Sequence, residues 1–258
     1  MTAPDPQKRW LVDQLPVELY ASNEALGQAA ASKAQQIINE AINRKGFANL
    51  ILATGNSQLT FLKALRSLEG IDWQKVRIFH MDEYIGINPS HPASFPLFLE
   101  NHFLQFIKPG HFHPIPSEHS DVNFACQAYE ALIRQHPADL VAMGWGENGH
   151  IAFNDPPDAH FDDPNWVKVV DLAEESRLQQ VGEGHFTSLN EVPKQAITLT
   201  IPALLAPVHI LCIVPEARKA SAVKVCLSEP VEESRPGSIL RTISHATLLL
   251  DQDSASLL

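Results

Sequence analysis

The stretch ANLILATGNS, residues 48–57, decides the fold class of this chain. Its first six residues are almost entirely apolar, which is typical of a strand that is buried on both faces. The next four, TGNS, predict a turn, and a helix-compatible stretch follows through Leu68. A buried strand that leads through a turn into a helix is the unit from which parallel α/β sheets are built.

The same pattern recurs along the chain, and a long helix is predicted over residues 22–45, with Ser22 as its N-cap and Gly46 at its end. Further buried strands are predicted at VRIFHM (76–81), DLVAMG (139–144), VHILCIV (208–214) and ATLLLD (246–251). We therefore predict an α/β fold, a single-domain, Rossmann-like three-layer sandwich with a mainly parallel sheet that spans residues 1–258.

Composition excludes several classes of function. The chain has 258 residues, 19 Lys plus Arg and 30 Asp plus Glu, for a net charge of −11. Binding to nucleic acid or to an anionic membrane needs clustered positive charge, so we predict neither as a partner. The first residues carry no apolar run of the kind found in a secretory signal, and Cys126, Cys212 and Cys226 lack metal-site spacing. We expect a cytoplasmic protein with reduced thiols.

Small and polar residues follow three of the predicted strands: TGNS at 54–57, DEY at 82–84 and GWGENGH at 144–150. In parallel α/β folds, ligands bind at the carboxyl ends of the strands. The three turns are therefore expected to meet in one cleft. Turns also need Gly, Asn and Asp for conformational reasons. Any one of these three turns, taken alone, could therefore equally well have a purely structural role.

Thr54, Gly55, Asn56 and Ser57 are candidate ligands of an anion. A turn between a strand and a helix presents free backbone N–H groups and the positive end of the helix dipole, and the two hydroxyls add donors. The Gly-Lys-Ser/Thr ending of a Walker loop is absent. The alternative is that Ser57 only caps the helix that follows.

Two adjacent carboxylates, Asp82 and Glu83, end the second predicted strand. Neighbouring side chains of an extended backbone point in opposite directions, so at most one is expected to face a pocket. A carboxylate that is partly removed from water has a raised pKa and serves as a general base. The alternative is a solvated pair in a loop.

The segment GWGENGHIAFNDP, 144–156, brings Asn148, His150 and Asp155 together among three glycines. A histidine transfers protons near neutral pH, and a neighbouring carboxylate fixes its tautomer. Lys219 or Arg218 could add positive charge. The pair His111 and His113 lacks carboxylates at matching spacing, so we predict no metal site.

Five segments, in this order, resemble the glucosamine-6-phosphate deaminase (isomerase) family, which shares a superfamily with the 6-phosphogluconolactonases. They are ATGNSQLTFLKAL (53–65), FHMDEYIGI (79–87), HPASFPLFLENHF (91–103), GWGENGHIAFNDP (144–156) and VPKQAITLTIPALL (192–205). The resemblance runs from about residue 20 to the C-terminus, and the MDEY and GHIAFN segments are its most specific parts.

The resemblance implies a role for each candidate residue. Asp82 matches the base that moves a proton between C2 and C1 of the opened sugar, and His150 matches the histidine that assists ring opening. Asp155 and Asn148 fall where partners of that histidine lie, although the family usually has a glutamate at the first position. Gly55, Asn56 and Ser57 match the family's phosphate loop, and Lys219 matches a phosphate-binding lysine. We predict Thr54, Glu83 and Arg177 as further substrate-binding residues.

The implied reaction converts glucosamine 6-phosphate to fructose 6-phosphate and ammonia, without metal or organic cofactor. Because Asp155 is one methylene shorter than glutamate, its contact to His150 is expected to lengthen or to need a shifted loop. The segment 176–190 departs from the family pattern where an arginine normally grips the phosphate, with Arg177 as the candidate substitute.

Alternatives stay open at this point. A 6-phosphogluconolactonase shares the fold, but the GHIAFNDP and MDEY segments favour the deaminase. Galactosamine 6-phosphate is an alternative substrate. A non-catalytic sugar-phosphate sensor domain is disfavoured, because the segment before residue 48 is too short for a DNA-binding helix-turn-helix and because Asp82 and His150 are both present. The oligomeric state is not determined, and a homo-oligomer remains open.

Overall fold

The structure of the protein, a computed structural model, describes residues 3–156 and 158–258. The strands are β1 (Lys8–Val12), β2 (Leu15–Tyr20), β3 (Ala48–Leu52), β4 (Val76–His80), β5 (Asp82–Tyr84), β6 (His111–His113), β7 (Leu140–Met143), β8 (Val167–Asp171), β9 (Gln195–Leu199), β10 (His209–Val214) and β11 (Ala246–Asp251). The α-helices are α1 (Asn23–Lys45), α2 (Leu59–Arg66), α3 (Phe95–Leu99), α4 (Gln105–Ile107), α5 (Val122–Gln135), α6 (Glu174–Gly182), α7 (Ile201–Leu205) and α8 (Ala220–Ser228).

Eight of the strands form one sheet in the order β1-β2-β11-β10-β7-β3-β4-β6. Every neighbouring pair is parallel except β1 with β2. All five strands predicted from apolar runs lie in this sheet, which confirms the mainly parallel α/β prediction. The edge strands β1 and β6 were not predicted, because they are short and mostly exposed or half-buried and so lack a continuous apolar run.

Helices cover both faces of the sheet, as predicted. Along β3, Leu50 and Leu52 pack with α1 and α2 in one core, whereas Ile51 points to the other face and packs in a second core with α5 and α8. Successive side chains of a strand alternate between faces, so a strand between two helical layers is buried on both faces. This is why ANLIL is buried at every position.

The long first helix begins and ends where the sequence predicts. The Ser22 hydroxyl accepts a hydrogen bond from the backbone N–H of Ala25 at 3.2 Å, and Gly46 ends the helix in the left-handed conformation with φ 84°. At Gly27 a Cβ atom would lie 2.8 Å from the backbone of Thr60, so this glycine allows α1 and α2 to pack closely.

A second, three-stranded antiparallel sheet, β5-β9-β8, stands beside the main one. In it Asp82 pairs with Thr198, and Tyr84 pairs with Ala196. The sequence predicts that one strand ends at Asp82 and Glu83, but in the structure these residues belong to a separate short strand, β5. The short strand forms because it pairs with β9, more than a hundred residues later in the chain, and a local sequence pattern does not predict such a pairing. The consequence is that Asp82 lies on a hydrogen-bonded strand.

None of the described helices combines the length and the apolar character that a membrane crossing requires.

Candidate active site

One cavity lies at the carboxyl ends of β3, β4 and β7, where the sequence predicts a cleft. Six of the residues predicted for the site line it: Thr54, Gly55, Ser57, Asp82, His150 and Lys219. The carboxylate predicted to act as a base and the histidine predicted to open the sugar ring therefore face the same cavity.

Asp82 supplies a buried carboxylate. The residue is 7% exposed, and neither carboxylate oxygen has a hydrogen-bond partner among the residues that the structure describes. Burial, together with the negative charge of Glu83, raises the pKa of Asp82 to about 8. A carboxyl group without partners and with a pKa near 8 is a strong base once it is ionised.

His80 fixes the backbone that carries Asp82, a contact that sequence reasoning did not find. Its Nε2 accepts a hydrogen bond from the N–H of Ile115 at 2.8 Å, so Nδ1 carries the hydrogen and donates to the Asp82 carbonyl at 3.0 Å. Burial lowers the pKa of His80 to about 3, which keeps the ring neutral. Because both of its ring nitrogens make hydrogen bonds, the buried His80 has a structural role and holds the backbone of Asp82 in place.

Glu83 faces away from the cavity, in agreement with the alternation of side chains along β5. Its carboxylate accepts hydrogen bonds from the Ser94 hydroxyl at 3.0 Å and from the N–H groups of Phe95 and Tyr84 at 3.1 and 2.9 Å. It thereby satisfies donors at the start of α3. Burial raises the pKa of Glu83 to about 7. These contacts keep the Glu83 carboxylate out of the cavity, where it acts only as a neighbour that influences the charge of Asp82.

The loop after β7 brings His150 against its own glycines. A Cβ atom at Gly146 would lie 2.1–2.4 Å from ring atoms of His150, so a larger residue there would displace the imidazole. Gly146 N–H also donates to the His150 carbonyl at 2.9 Å, and Gly149 has φ 85°. The glycines therefore serve two purposes. Gly149 allows a left-handed turn, and Gly146 leaves room for the imidazole ring because it has no side chain.

The side of His150 that faces away from the cavity carries a polar network. Nδ1 lies 2.7 Å from Oδ1 of Asn148 and 3.0 Å from Oδ1 of Asp155. Since both are acceptors, the hydrogen belongs on Nδ1, and Nε2 keeps its lone pair for a ligand. Of the two predicted alternatives, a longer contact or a shifted loop, the longer contact is not observed, because Asp155 reaches the ring at 3.0 Å. As predicted, it is the histidine's carboxylate partner.

Asp155 is held by a residue that the sequence did not single out, Ser176 at the start of α6. The serine hydroxyl lies 2.8 and 2.7 Å from the two carboxylate oxygens of Asp155, and Asn148 Nδ2 donates to the same carboxylate at 2.8 Å. Burial would raise the pKa of Asp155, but the charge and hydrogen bond of His150 and these two donors outweigh it and lower the pKa to about 2. The carboxylate is therefore ionised beside the imidazole.

Another group of the residues that line the cavity has the features of an anion site. Gly55 adopts φ 101°, a conformation that favours glycine, and Thr54 and Ser57 line the cavity beside it. Lys219, only 2% exposed, lines the same cavity and brings a positive charge. Asn56 is turned away and donates through Nδ2 to the Glu183 carbonyl at 3.4 Å.

Arg177 does not lie among the residues that line the cavity. Its Nη2 donates to the carbonyl groups of Leu189 and Val192 at 2.6 and 3.1 Å. In this structure the arginine therefore ties α6 to the segment that precedes β9. Two neighbours in α6, Gln179 and Gln180, line the cavity instead, as does Glu183 just after the helix. Sequence reasoning missed these three, because a polar residue on a short helix gives no signal of its own.

Among residues 3–156 and 158–258, no group of three or more His, Cys, Asp or Glu side chains could hold a metal ion.

Comparison with known proteins identifies the family of the chain. The family model described as glucosamine-6-phosphate isomerases/6-phosphogluconolactonase matches residues 21–249. Over 233 residues the chain is 36% identical to a glucosamine-6-phosphate deaminase of Geobacillus sp. (strain WCH70), a match that covers 88% of this chain and 91% of the relative. It is also 36% identical over 226 residues to glucosamine-6-phosphate deaminase 2 of Bacillus subtilis (strain 168), with 85% and 89% covered.

Solved structures agree as well. A monomeric glucosamine-6-phosphate deaminase superposes with a TM-score of 0.86 at 30% identity, covering 94% of this chain and 99% of the other. A 6-phosphogluconolactonase from Shewanella baltica OS155 superposes with a TM-score of 0.78 over 94% and 100% of the two chains, and at 19% identity this similarity concerns the fold alone. The chain is therefore an enzyme of the glucosamine-6-phosphate isomerase/6-phosphogluconolactonase family.

Proposed function

We propose that this enzyme isomerises and deaminates an amino-sugar phosphate, with glucosamine 6-phosphate as the substrate and fructose 6-phosphate and ammonia as the products. The observation that carries the proposal is that Asp82 and His150 line the same cavity as Lys219 and three residues of one turn, Thr54, Gly55 and Ser57. The relatives at 36% identity are glucosamine-6-phosphate deaminases, which supports the choice of substrate.

The reaction begins with ring opening. Nε2 of His150 takes part in proton transfer to or from the oxygens at C1 and C5 of the closed sugar, while Asp155 stabilises the positive charge that develops on the ring. A histidine with a carboxylate partner at Nδ1 is suited to this task, since the partner fixes the tautomer and leaves Nε2 free for the sugar.

The isomerisation belongs to Asp82. In the open chain, the carbonyl group at C1 makes the C2 hydrogen acidic. The ionised Asp82 removes that proton while the C1 oxygen gains a proton, which gives an enolamine. Asp82 then returns its proton to C1, and the nitrogen gives up one proton, so that a hydroxyl group is left at C1 and an imine at C2. Water hydrolyses the imine, and ammonia and the ketose leave. Holding the sugar between two fixed ends supplies much of the rate, since well-oriented geometry contributes about 7–11 kcal/mol in favourable cases.

The phosphate end fixes the orientation of the sugar. We assign the phosphate to the N–H groups and hydroxyls of Thr54, Gly55 and Ser57 and to the ammonium group of Lys219. Asn56 supports this turn from outside the cavity. Glu83 and Arg177, which were predicted as substrate ligands, have indirect roles in this proposal. Glu83 influences the charge of Asp82, and Arg177 holds α6 in position.

One experiment tests the proposal directly. Purified protein is incubated separately with glucosamine 6-phosphate, galactosamine 6-phosphate and 6-phosphogluconolactone, and ammonia release and lactone loss are followed in parallel. We expect ammonia from glucosamine 6-phosphate and no loss of lactone above the spontaneous rate. Ammonia from the galactosamine compound alone would change the substrate, and rapid lactone loss without ammonia would replace the proposal by the lactonase.

We further propose that all of residues 1–258 act as one catalytic domain and that the enzyme works in the cytoplasm, where its three buried free thiols would stay reduced. A homo-oligomer, which the sequence leaves open, stays a prediction that sedimentation velocity can measure.

A further inference from the structure

The end of α6 lies over the phosphate end of the cavity. Gln179 and Glu183 line the cavity together with Lys219, and the backbone carbonyl of Glu183 accepts a hydrogen bond from Asn56 in the phosphate turn. Glu183 is therefore a carboxylate at the place where the proposed substrate brings a phosphate. A negative residue at such a place needs an explanation, since like charges repel strongly when they are partly removed from water.

The Glu183 carboxylate is engaged by several donors. Its Oε1 accepts hydrogen bonds from Arg218 Nη1 at 2.8 Å and from Gln179 Nε2 at 2.7 Å, and Nε2 of His185 lies 3.4 Å from Oε2. The side chain is 6% exposed. Burial would raise its pKa, but the hydrogen bond of His185 and the charges of Arg218 and Lys219 lower it to about 2. Glu183 is thus a buried anion that is paired with Arg218.

Arg218 has more hydrogen-bond donors than its contact with Glu183 uses. Its Nε donates to Glu216 at 2.6 Å, and Nη1 lies 3.6 Å from Glu147 in addition to its contact with Glu183. Within the described part of the chain, Nη2 has no hydrogen-bond partner. The side chain is 29% exposed, and the next residue, Lys219, lines the cavity. A guanidinium group with a free N–H edge beside a buried lysine is suited to bind phosphate with two hydrogen bonds.

We propose that Arg218 is a second phosphate ligand and that Glu183 occupies its guanidinium group until the substrate phosphate replaces the carboxylate. This inference rests on the proposed function, since it assumes that the phosphate binds beside Lys219. Glu183 lies between two glycines, Gly182 and Gly184, and the latter has φ 82°. The turn therefore offers the backbone freedom that a change of partner requires.

The proposal has a distinctive consequence: the loss of a buried charge improves binding. Inorganic phosphate is titrated into the full-length protein by calorimetry at low salt. In Glu183→Gln the amide keeps the shape and an acceptor oxygen but not the charge that competes with phosphate. We expect its Kd for phosphate to fall by about two- to fivefold, in the range of a partly exposed ion pair.

The matched control is Glu175→Gln, which removes one negative charge from the exposed part of the same helix without a contact to Arg218. We expect its Kd to stay within experimental error of the wild type. Arg218→Gln is expected to raise the Kd by about tenfold, the loss of a charge-assisted pair, and in the double variant the gain from Glu183→Gln should disappear.

A Kd in Glu183→Gln that is unchanged or higher would overturn the proposal, and so would phosphate binding by Arg218→Gln that is as tight as that of the wild type. The absence of phosphate binding by both the wild type and Glu183→Gln would do the same. The measurement needs no turnover, so it separates this inference from the proposed function, which fails only when the wild type releases no ammonia.

Discussion

The hydroxyl of Ser176 lies within 2.8 Å of both carboxylate oxygens of Asp155, and Asp155 in turn contacts Nδ1 of His150. A residue of α6 is thereby connected to the imidazole in the cavity through a single carboxylate. The helix that covers the phosphate end thus also helps to orient the histidine.

Ser176→Ala is expected to lower kcat about tenfold or less with little change in KM, because Asp155 loses a hydrogen bond to a charged group and holds the imidazole less firmly. Steady-state kinetics measure the split between kcat and KM. Ser176→Thr, which keeps the hydroxyl, should restore most of the rate. A Ser176→Ala enzyme with wild-type kcat would show that Asn148 alone suffices to hold Asp155.

His150→Gln should slow turnover of the ring-closed substrate by about 10²–10⁴-fold, the usual contribution of a general acid–base group. An acyclic amino-sugar phosphate needs no ring opening, so its turnover should fall far less. The comparison of the two rates in one variant provides the control for misfolding. An equal loss on both compounds would remove His150 from the ring-opening step.

Asp82→Asn should lower kcat by at least about 10³-fold while the substrate still binds, because the amide keeps the shape but cannot take a proton. Turnover is followed by ammonia release, and binding by calorimetry with glucosamine 6-phosphate. Retained turnover would contradict the assignment of Asp82 as the base, whatever the binding result.

The pH profile should report the same carboxyl group. Because burial and the charge of Glu83 raise the pKa of Asp82 to about 8, the base is mostly protonated at neutral pH, and kcat/KM should rise with pH through about 8. Glu83→Gln removes the nearby charge, so the rise should move to lower pH. A profile that is already flat above pH 5 would show that Asp82 ionises at the ordinary carboxyl pKa.

The same shift has a consequence for stability, with a definite sign. The folded protein binds the Asp82 proton more tightly than the unfolded chain does, so the stabilisation is complete below the ordinary carboxyl pKa of about 4 and is lost as pH rises towards about 8. Asp82→Asn removes this dependence. Its melting temperature relative to the wild type should therefore increase between pH 5 and pH 9, as differential scanning calorimetry can measure.

Lys219→Met should raise KM for phosphorylated sugars by about tenfold or more with a smaller effect on kcat, because the thioether fills the buried space without the charge that holds the phosphate. Lys224→Met, on the exposed side of α8, is the matched control and should leave KM unchanged. A KM for Lys219→Met that equals that of the control would move the phosphate elsewhere.

Much of the fold could be predicted from local patterns. Apolar runs such as ANLIL are strands because both faces are covered, and the small residues that follow them mark the carboxyl edge of the sheet. Ser22 and Gly46 bound the first helix by chemistry that acts within a few residues. The alternation of Asp82 and Glu83 likewise followed from the strand geometry of two neighbours.

Contacts between distant segments could not be predicted in this way. Three contacts join residues whose spacing in the sequence gives no sign of them. They are the pairing of Asp82 with Thr198, the hydrogen bonds of Ser176 to Asp155 and the ion pair between Glu183 and Arg218. The sequence by itself determined which residues could carry the chemistry and at which edge of the sheet they would lie. The tertiary structure decided which of them meet, because packing brings side chains together by shape and charge across the whole chain and leaves no local pattern behind.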